Sequence, residues 1–188
     1  MIAMGALESG MKEEELKPLV DSWRAANPHI VKFWSDIDKA IKYCIRNKAS
    51  LQVGKVRVEC RNGMLFIHLP SGRRLSYVRP NICENRFGSE SFCYWGLDMS
   101  KKWVRIETFG GKCVENITQA VARDVLMNSM FTLKDYDSVA HCHDELIIEV
   151  PEDTDVDYIC QKMAEVPTWA EGLILRADGY ETKYYKKD

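Results

Sequence analysis

The sequence has no Cys-x-x-Cys pair, no long apolar run and no basic amino-terminal leader, and each absence excludes a class of protein. The seven cysteines (Cys44, Cys60, Cys83, Cys93, Cys113, Cys142, Cys160) are scattered and odd in number. Free thiols in a reducing cytoplasm are expected rather than a disulfide frame or a zinc ribbon. A membrane span needs about 18 uninterrupted apolar residues, and none is present, so no membrane partner is expected. The opening MIAMGALESGMKEEE turns acidic at once, unlike a secretory signal. Internal repeats and low-complexity linkers are missing too. What remains is a chain of 188 residues, 46% of them hydrophobic, enough for one domain or a large part of one.

Net charge is only −2, but it is unevenly spread. Residues 1–70 carry a net +3, residues 71–112 a net +4, and residues 113–188 a net −9. A basic portion suits phosphates and an acidic one suits metal cations; an ordinary solvated surface accounts for the same numbers.

The hydrophobic pattern divides the chain at 1–47, 48–111 and 112–188. Residues 11–26 read as a helix after Ser9-Gly10, with Pro18 expected near its first turn. Asn27-Pro28 marks a second start, Asn as cap and Pro at the first helical position. Ile30, Phe33, Trp34, Ile37, Ile41, Cys44 and Ile45 then recur at helical spacing to near Asn47, an amphipathic helix whose aromatic stripe is read as core packing. From Leu51 to Thr108 the period changes to two, predicting an antiparallel meander of about four or five strands. Arg61-Asn62-Gly63 signals a hairpin, a loop is expected around Asn81–Ser89, and Gly110-Gly111 is expected to end the sheet. A helix follows from about Asn116 to Met130, with Asn116, Gln119 and Arg123 on one face. Another helix is predicted near Asp155–Ala164. The class is therefore α+β: an antiparallel sheet, helices packed on it, and a hairpin between two helices.

That hairpin is the stretch SVAHCHDELIIEV. Two apolar runs flank polar residues that are costly to bury in a plain strand. A tight connection solves this by presenting His143, Asp144 and Glu145 at one edge of the sheet. Adjacent carboxylates there repel, and a divalent cation relieves the repulsion; Mg²⁺ takes few protein carboxylates and fills its shell with water and phosphate. A solvated acidic turn is the alternative.

The stretch from Ala140 to Val150 resembles the carboxy-terminal catalytic motif of family A DNA polymerases, the DNA polymerase I-like group: an apolar strand, His-Asp-Glu, an apolar strand. Glu115-Asn116-Ile117-Thr118-Gln119-Ala120-Val121-Ala122-Arg123-Asp124 resembles the family helix before it. WVRIETFGGK, LPSGRRLSY and PTWAEGLILRADGYETKYY are similar to phage and prophage members, in the same order. The resemblance implies a palm sheet with a catalytic hairpin and a helical remnant of the fingers. It also implies template-dependent nucleotidyl transfer with two Mg²⁺ ions, on primer-template DNA and dNTP. Asp144 becomes a metal ligand, Glu145 an auxiliary carboxylate, and His143 a neighbour of the primer terminus. Asn116 and Gln119 become minor-groove contacts, Lys112 replaces a family arginine, and Arg123 joins the DNA-binding face. Such contacts suit an enzyme that grips any sequence, because minor-groove acceptors are nearly the same for every pair. A helix cap is the competing role for Asn116; Gln119 and Arg123 read equally as solvated side chains.

The family's second aspartate, in a pattern like Asp-Tyr-Ser-x-x-Glu, is absent, and Asp98-Met99-Ser100 only imitates it. The fingers Arg, Lys and Tyr-Gly are absent as well. MIAMGALESG resembles the segment after the fingers helix, which makes Met1 an internal methionine, or the start of a truncated or split gene. The expectation is a palm portion that needs a missing amino-terminal polymerase part, is inactive alone, and exposes apolar surface near residues 1–10. Two other readings stand beside it: a non-catalytic duplex DNA-binding module, and a soft-metal site at His141-Cys142-His143, whose two histidines share one side of a strand.

Overall fold

The protein is described by a computed structural model covering residues 10–85 and 87–185. The expected α+β class is what is found, with a six-stranded antiparallel sheet and four α-helices among the described residues. Residues 1–9, where exposed apolar surface was expected, lie outside the described part, apart from Gly10 at its margin. Among the described residues no helix is long and apolar enough to cross a membrane.

Helix α1 (Glu13–Ala26) opens with Glu13, Glu14 and Glu15, favourable beside the positive end of the helix dipole. The Glu15 carboxylate accepts from the Lys12 backbone N–H at 2.8 Å. Pro18 is not in the first turn as expected but further inside the helix. The proline tolerates this because it and Glu14, whose carbonyl loses its donor, are exposed to water. Helix α2 (Pro28–Asn47) starts at Pro28, yet Asn27 does not cap it with its side chain. Asn27 Nδ2 turns back and donates to the Trp23 carbonyl at 2.8 Å, closing α1 instead. Trp23 and Trp34 stack with centroids 5.8 Å apart, joining the two helices. The buried stripe of α2 begins only at Ile37 and continues through Ala40, Ile41, Cys44 and Ile45; Ile30, expected in it, is exposed.

The sheet runs β1 (Ser50–Val53), β2 (Val56–Arg61), β3 (Met64–His68), β4 (Arg74–Glu84), β5 (Glu90–Leu97), β6 (Trp103–Thr108), in chain order. It has six strands rather than about four or five, because β1 is a short piece without the alternation that marks the others. The Asn62-Gly63 hairpin forms as read, with both residues at positive φ (50° and 72°), as a two-residue turn of this type requires. The loop expected at Asn81–Ser89 is shorter: β4 continues to Glu84. Its ladder slips between Val78 and Asn81, where Arg79 takes φ 47° and Pro80 has no N–H to give, and pairing resumes at Asn81↔Cys93.

Gly110-Gly111 does not merely end the sheet. It begins helix α3 (Gly110–Thr132), six residues earlier than the predicted start. The glycines serve close packing: a Cβ on Gly110 would lie 2.5 Å from the Trp34 carbonyl oxygen and from Asp38 Cβ. The Gly110 N–H donates to Asp38 Oδ1 at 2.9 Å.

The chain forms two compact units. The first comprises Met1–Val53, Val58–Leu65 and Tyr77–Val114; the second comprises Gly54–Arg57, Phe66–Ser76 and Glu115–Asp188. In the first, Ile37, Ile41, Cys44, Val58, Leu65 and Phe92 are fully buried, and the Ser91 hydroxyl donates to the Thr108 carbonyl at 2.7 Å. The second holds most of α3, the hairpin strands β7 (Asp137–Cys142) and β8 (Glu145–Glu149), and helix α4 (Val156–Met163). Asp155 caps α4 by accepting from Asp157 N at 2.9 Å, and the hydroxyls of Ser129 and Thr132 satisfy the Met163 and Lys162 carbonyls at its end.

Candidate active site

β7 and β8 pair with Cys142 opposite Glu145, so His143 and Asp144 alone form the turn. His143 sits at φ 50°, a conformation that two-residue hairpin turns need and that glycine or asparagine usually fills. Both turn residues are exposed, so the polar tip is never desolvated. The hairpin was expected to present these residues at one edge of the sheet; its strands form a two-stranded sheet of their own, with the turn at its end. Asp137–His141 are all exposed, whereas Glu145–Ile148 are half-buried. A slip between Ser138 and Ala140 leaves Val139 out of the ladder.

Asp144 has no partner among the described residues. Glu145 lies 3.4 Å from the Tyr185 hydroxyl. The negative charge of Glu145, with lesser help from desolvation, raises the Tyr185 phenol above its usual range, so Tyr185 stays a donor toward that carboxylate.

Helix α3 carries the other candidates. Lys112 is exposed one turn before Asn116. Asn116 is half-buried and well inside the helix, so the capping role is ruled out by position. Gln119 is exposed, its Nε2 3.5 Å from Glu115 Oε1. Arg123 is not merely solvated: its Nη1 lies 3.0 Å from His141 Nδ1 and its Nη2 3.2 Å from His141 Nε2. An imidazole accepts at one nitrogen at most, so no more than one of the two contacts is a hydrogen bond.

The soft-metal reading fails on geometry. His143 is in the turn, which breaks the strand alternation that would put it beside His141. Among the described residues no three His, Cys, Asp or Glu side chains converge to hold a metal ion.

One group escaped the reading of the sequence. Asp124, next to Arg123, is buried and accepts from Arg73 Nε at 2.6 Å and from the Ser71 hydroxyl. Arg73 also donates to the Ala120 carbonyl at 2.8 Å. The Ser71-Gly72-Arg73 turn thus clamps the middle of α3, the stretch that bears Gln119 and Arg123. Its signal was only partial: an acidic residue on a helix face otherwise destined for burial needs a cation, but nothing near it in the sequence names Arg73.

No family model matches the sequence, and no solved structure matches it. The chain is similar to a DNA polymerase of Bacillus phage SP02, 45% identical over 194 aligned residues; the alignment takes in the whole of this chain and 30% of that polymerase's length.

Proposed function

We propose that this chain is the palm portion of a family A DNA-directed DNA polymerase and acts in template-dependent nucleotidyl transfer during DNA replication. The observation that carries the reading is the exposed His143-Asp144 turn with Glu145 beside it, in a chain 45% identical along its whole length to part of a phage DNA polymerase. The donor set fits Mg²⁺, which takes one or two carboxylates and completes its shell with water and phosphate oxygens. Asp144 would hold it, with Glu145 alongside, its second oxygen steadied by Tyr185. When bound, the ions neutralise phosphate charge along the reaction coordinate.

The remaining work falls to this chain's own side chains. Asn116 and Gln119 offer amide donors from one helix face to minor-groove acceptors, which read pair geometry without reading sequence. Arg123 braces the hairpin through His141, and Lys112 adds a phosphate contact at the start of the same helix. Two adjacent carboxylates do not make a two-metal clamp, so the second aspartate and the nucleotide-binding cations come from elsewhere in a complete polymerase. The chain alone is inactive.

The test is a chimera in which this chain replaces the matching part of the SP02 phage polymerase. The chimera extends a primer on a template with Mg²⁺, the isolated chain does not, and Asp144→Asn in the chimera lowers the rate by about a thousandfold or more. A folded chimera whose Asp144→Asn variant extends primers at the parental rate would sink the proposal. Extension by the isolated chain would overturn the incompleteness.

A further inference from the structure

The first unit holds a cleft of about 400 Å³ that the hairpin chemistry leaves unexplained. Lys48, Arg79 and Arg105 line it, together with Trp95, and none of its lining residues is acidic. Arg79 and Arg105 make no ion pair with any described residue. The Lys48 ammonium gives one hydrogen bond to the Ile45 carbonyl at 3.0 Å and has two donors left. Three cations around one cleft with no carboxylate among them repel one another, an arrangement that an anion relieves.

The cleft opens on a sheet face whose pattern is equally one-sided. Trp95 pairs directly with Arg105, and Leu97 with Trp103, so all four share one face of β5 and β6. Trp95, Leu97 and Trp103 are 36%, 62% and 53% exposed, large apolar groups that folding leaves in water. The opposite face carries Phe92, buried, and Thr108, also buried. Arg79 owes its direction to the local backbone: its φ of 47° lies at the ladder slip, and its N–H bonds the Gly63 carbonyl at 2.8 Å. Glu107 shares the outer face but does not line the cleft.

We propose that this cleft and face bind single-stranded nucleic acid, with Lys48, Arg79 and Arg105 on backbone phosphates and Trp95 stacking an unpaired base. Cations alone would suit any polyanion. The exposed indole beside them selects a ligand with both phosphates and a free π-face, which a strand offers and a duplex hides. The site contains no residue of the hairpin or of α3, so it stands whether or not the hairpin is catalytic.

The experiment uses the full chain in EDTA, with a fluorescein-labelled oligothymidylate read by anisotropy and an unlabelled duplex of equal length as competitor. The strand binds in preference to the duplex. Arg79→Gln with Arg105→Gln weakens binding about tenfold or more and flattens the slope of log affinity against log salt by roughly 1.4, about 0.7 for each lost phosphate contact. Trp95→Leu weakens it about fivefold to a hundredfold and leaves that slope unchanged. Lys17→Gln and Lys32→Gln, exposed lysines of α1 and α2, control for bulk charge and bind like the parent. Circular dichroism melts confirm folding, and photocrosslinking of a bromodeoxyuridine strand gives an independent map, expected at Trp95. Absence of strand binding, an equally competitive duplex with a silent Trp95→Leu, or a crosslink confined to the second unit overturns the proposal.

Discussion

Arg123 reaches His141 with guanidinium nitrogens at 3.0 and 3.2 Å from the two ring nitrogens, and so ties α3 to the hairpin that carries Asp144. Two-stranded hairpins are marginal by themselves, and β7 is exposed along most of its length, so this tie counts for more than its size suggests. Arg123→Ala and His141→Ala each cost about 0.5–1 kcal/mol, and the double variant costs little more than either. Hydrogen exchange of the β7 and β8 amides quickens in both. A double-mutant cycle with no coupling energy would show the contact to be incidental.

Gly110 has no room for a methyl group. A Cβ there meets the Trp34 carbonyl oxygen at 2.5 Å and Asp38 Cα at 2.9 Å, backbone atoms that cannot swing aside. Gly110→Ala therefore lowers stability by about 2 kcal/mol or more, despite alanine's better helix propensity. Denaturant titration checks this, with Gly111→Ala as the milder comparison, since its nearest neighbour is the movable Phe109 ring at 3.0 Å.

His143 separates folding from chemistry. At φ 50°, a β-branched side chain is strained while glycine and asparagine are at ease. His143→Val costs about 1–2 kcal/mol by thermal melt, whereas His143→Gly leaves stability within about 0.5 kcal/mol. Any activity that a complete polymerase loses on His143→Gly then belongs to the imidazole and not to the turn.

Alkaline pH loosens the first unit through its thiols. Burial raises Cys44 and Cys113 to about 11 from an ordinary 9.0, hydrogen bonds to Tyr77 and Thr108 offsetting part of the effect at Cys113. The folded state keeps these thiols neutral, while the unfolded chain ionises them first. Their contribution is therefore complete below pH 9 and is lost as pH rises toward 11, worth roughly 2 kcal/mol for each thiol at the upper end. Urea titrations at the two ends of that window measure the loss, and Cys44→Ala with Cys113→Ala flattens it. Iodoacetamide at pH 8 labels half-buried Cys142 well before either of them.

What the sequence made legible was periodicity and turn chemistry. The stripe at Ile37, Ile41 and Cys44, the Asn62-Gly63 turn and the runs around His143-Asp144 all depend on neighbours a few residues apart, and all are found. What it hid depends on distant partners. Gly110 reads only as the end of the sheet until Trp34 and Asp38 arrive beside it. Asn27 looks like a cap for the helix after it until Trp23 offers a carbonyl from the helix before it. The Arg73–Asp124 pair spans 51 positions and has no local signature, and the stretch from Asn81 reads as a loop until the ladder resumes at Asn81↔Cys93. At the candidate site, the turn and the shared face of Asn116, Gln119 and Arg123 could be read in advance; the detachment of the hairpin from the main sheet could not, because alternation fixes a strand but not its neighbours.

The path of the backbone has a consequence for how this chain can be divided. It passes between the two units at residues 53, 57, 65, 76 and 114, so neither unit is a contiguous stretch. During synthesis the first unit stays incomplete until Val114 has left the ribosome, long after α1 and α2 have emerged. No single proteolytic cut can release either unit whole, and a gene fragment ending within the sheet leaves both without part of their chain. Shortened versions of this protein will be informative only when cut outside the sheet and α3.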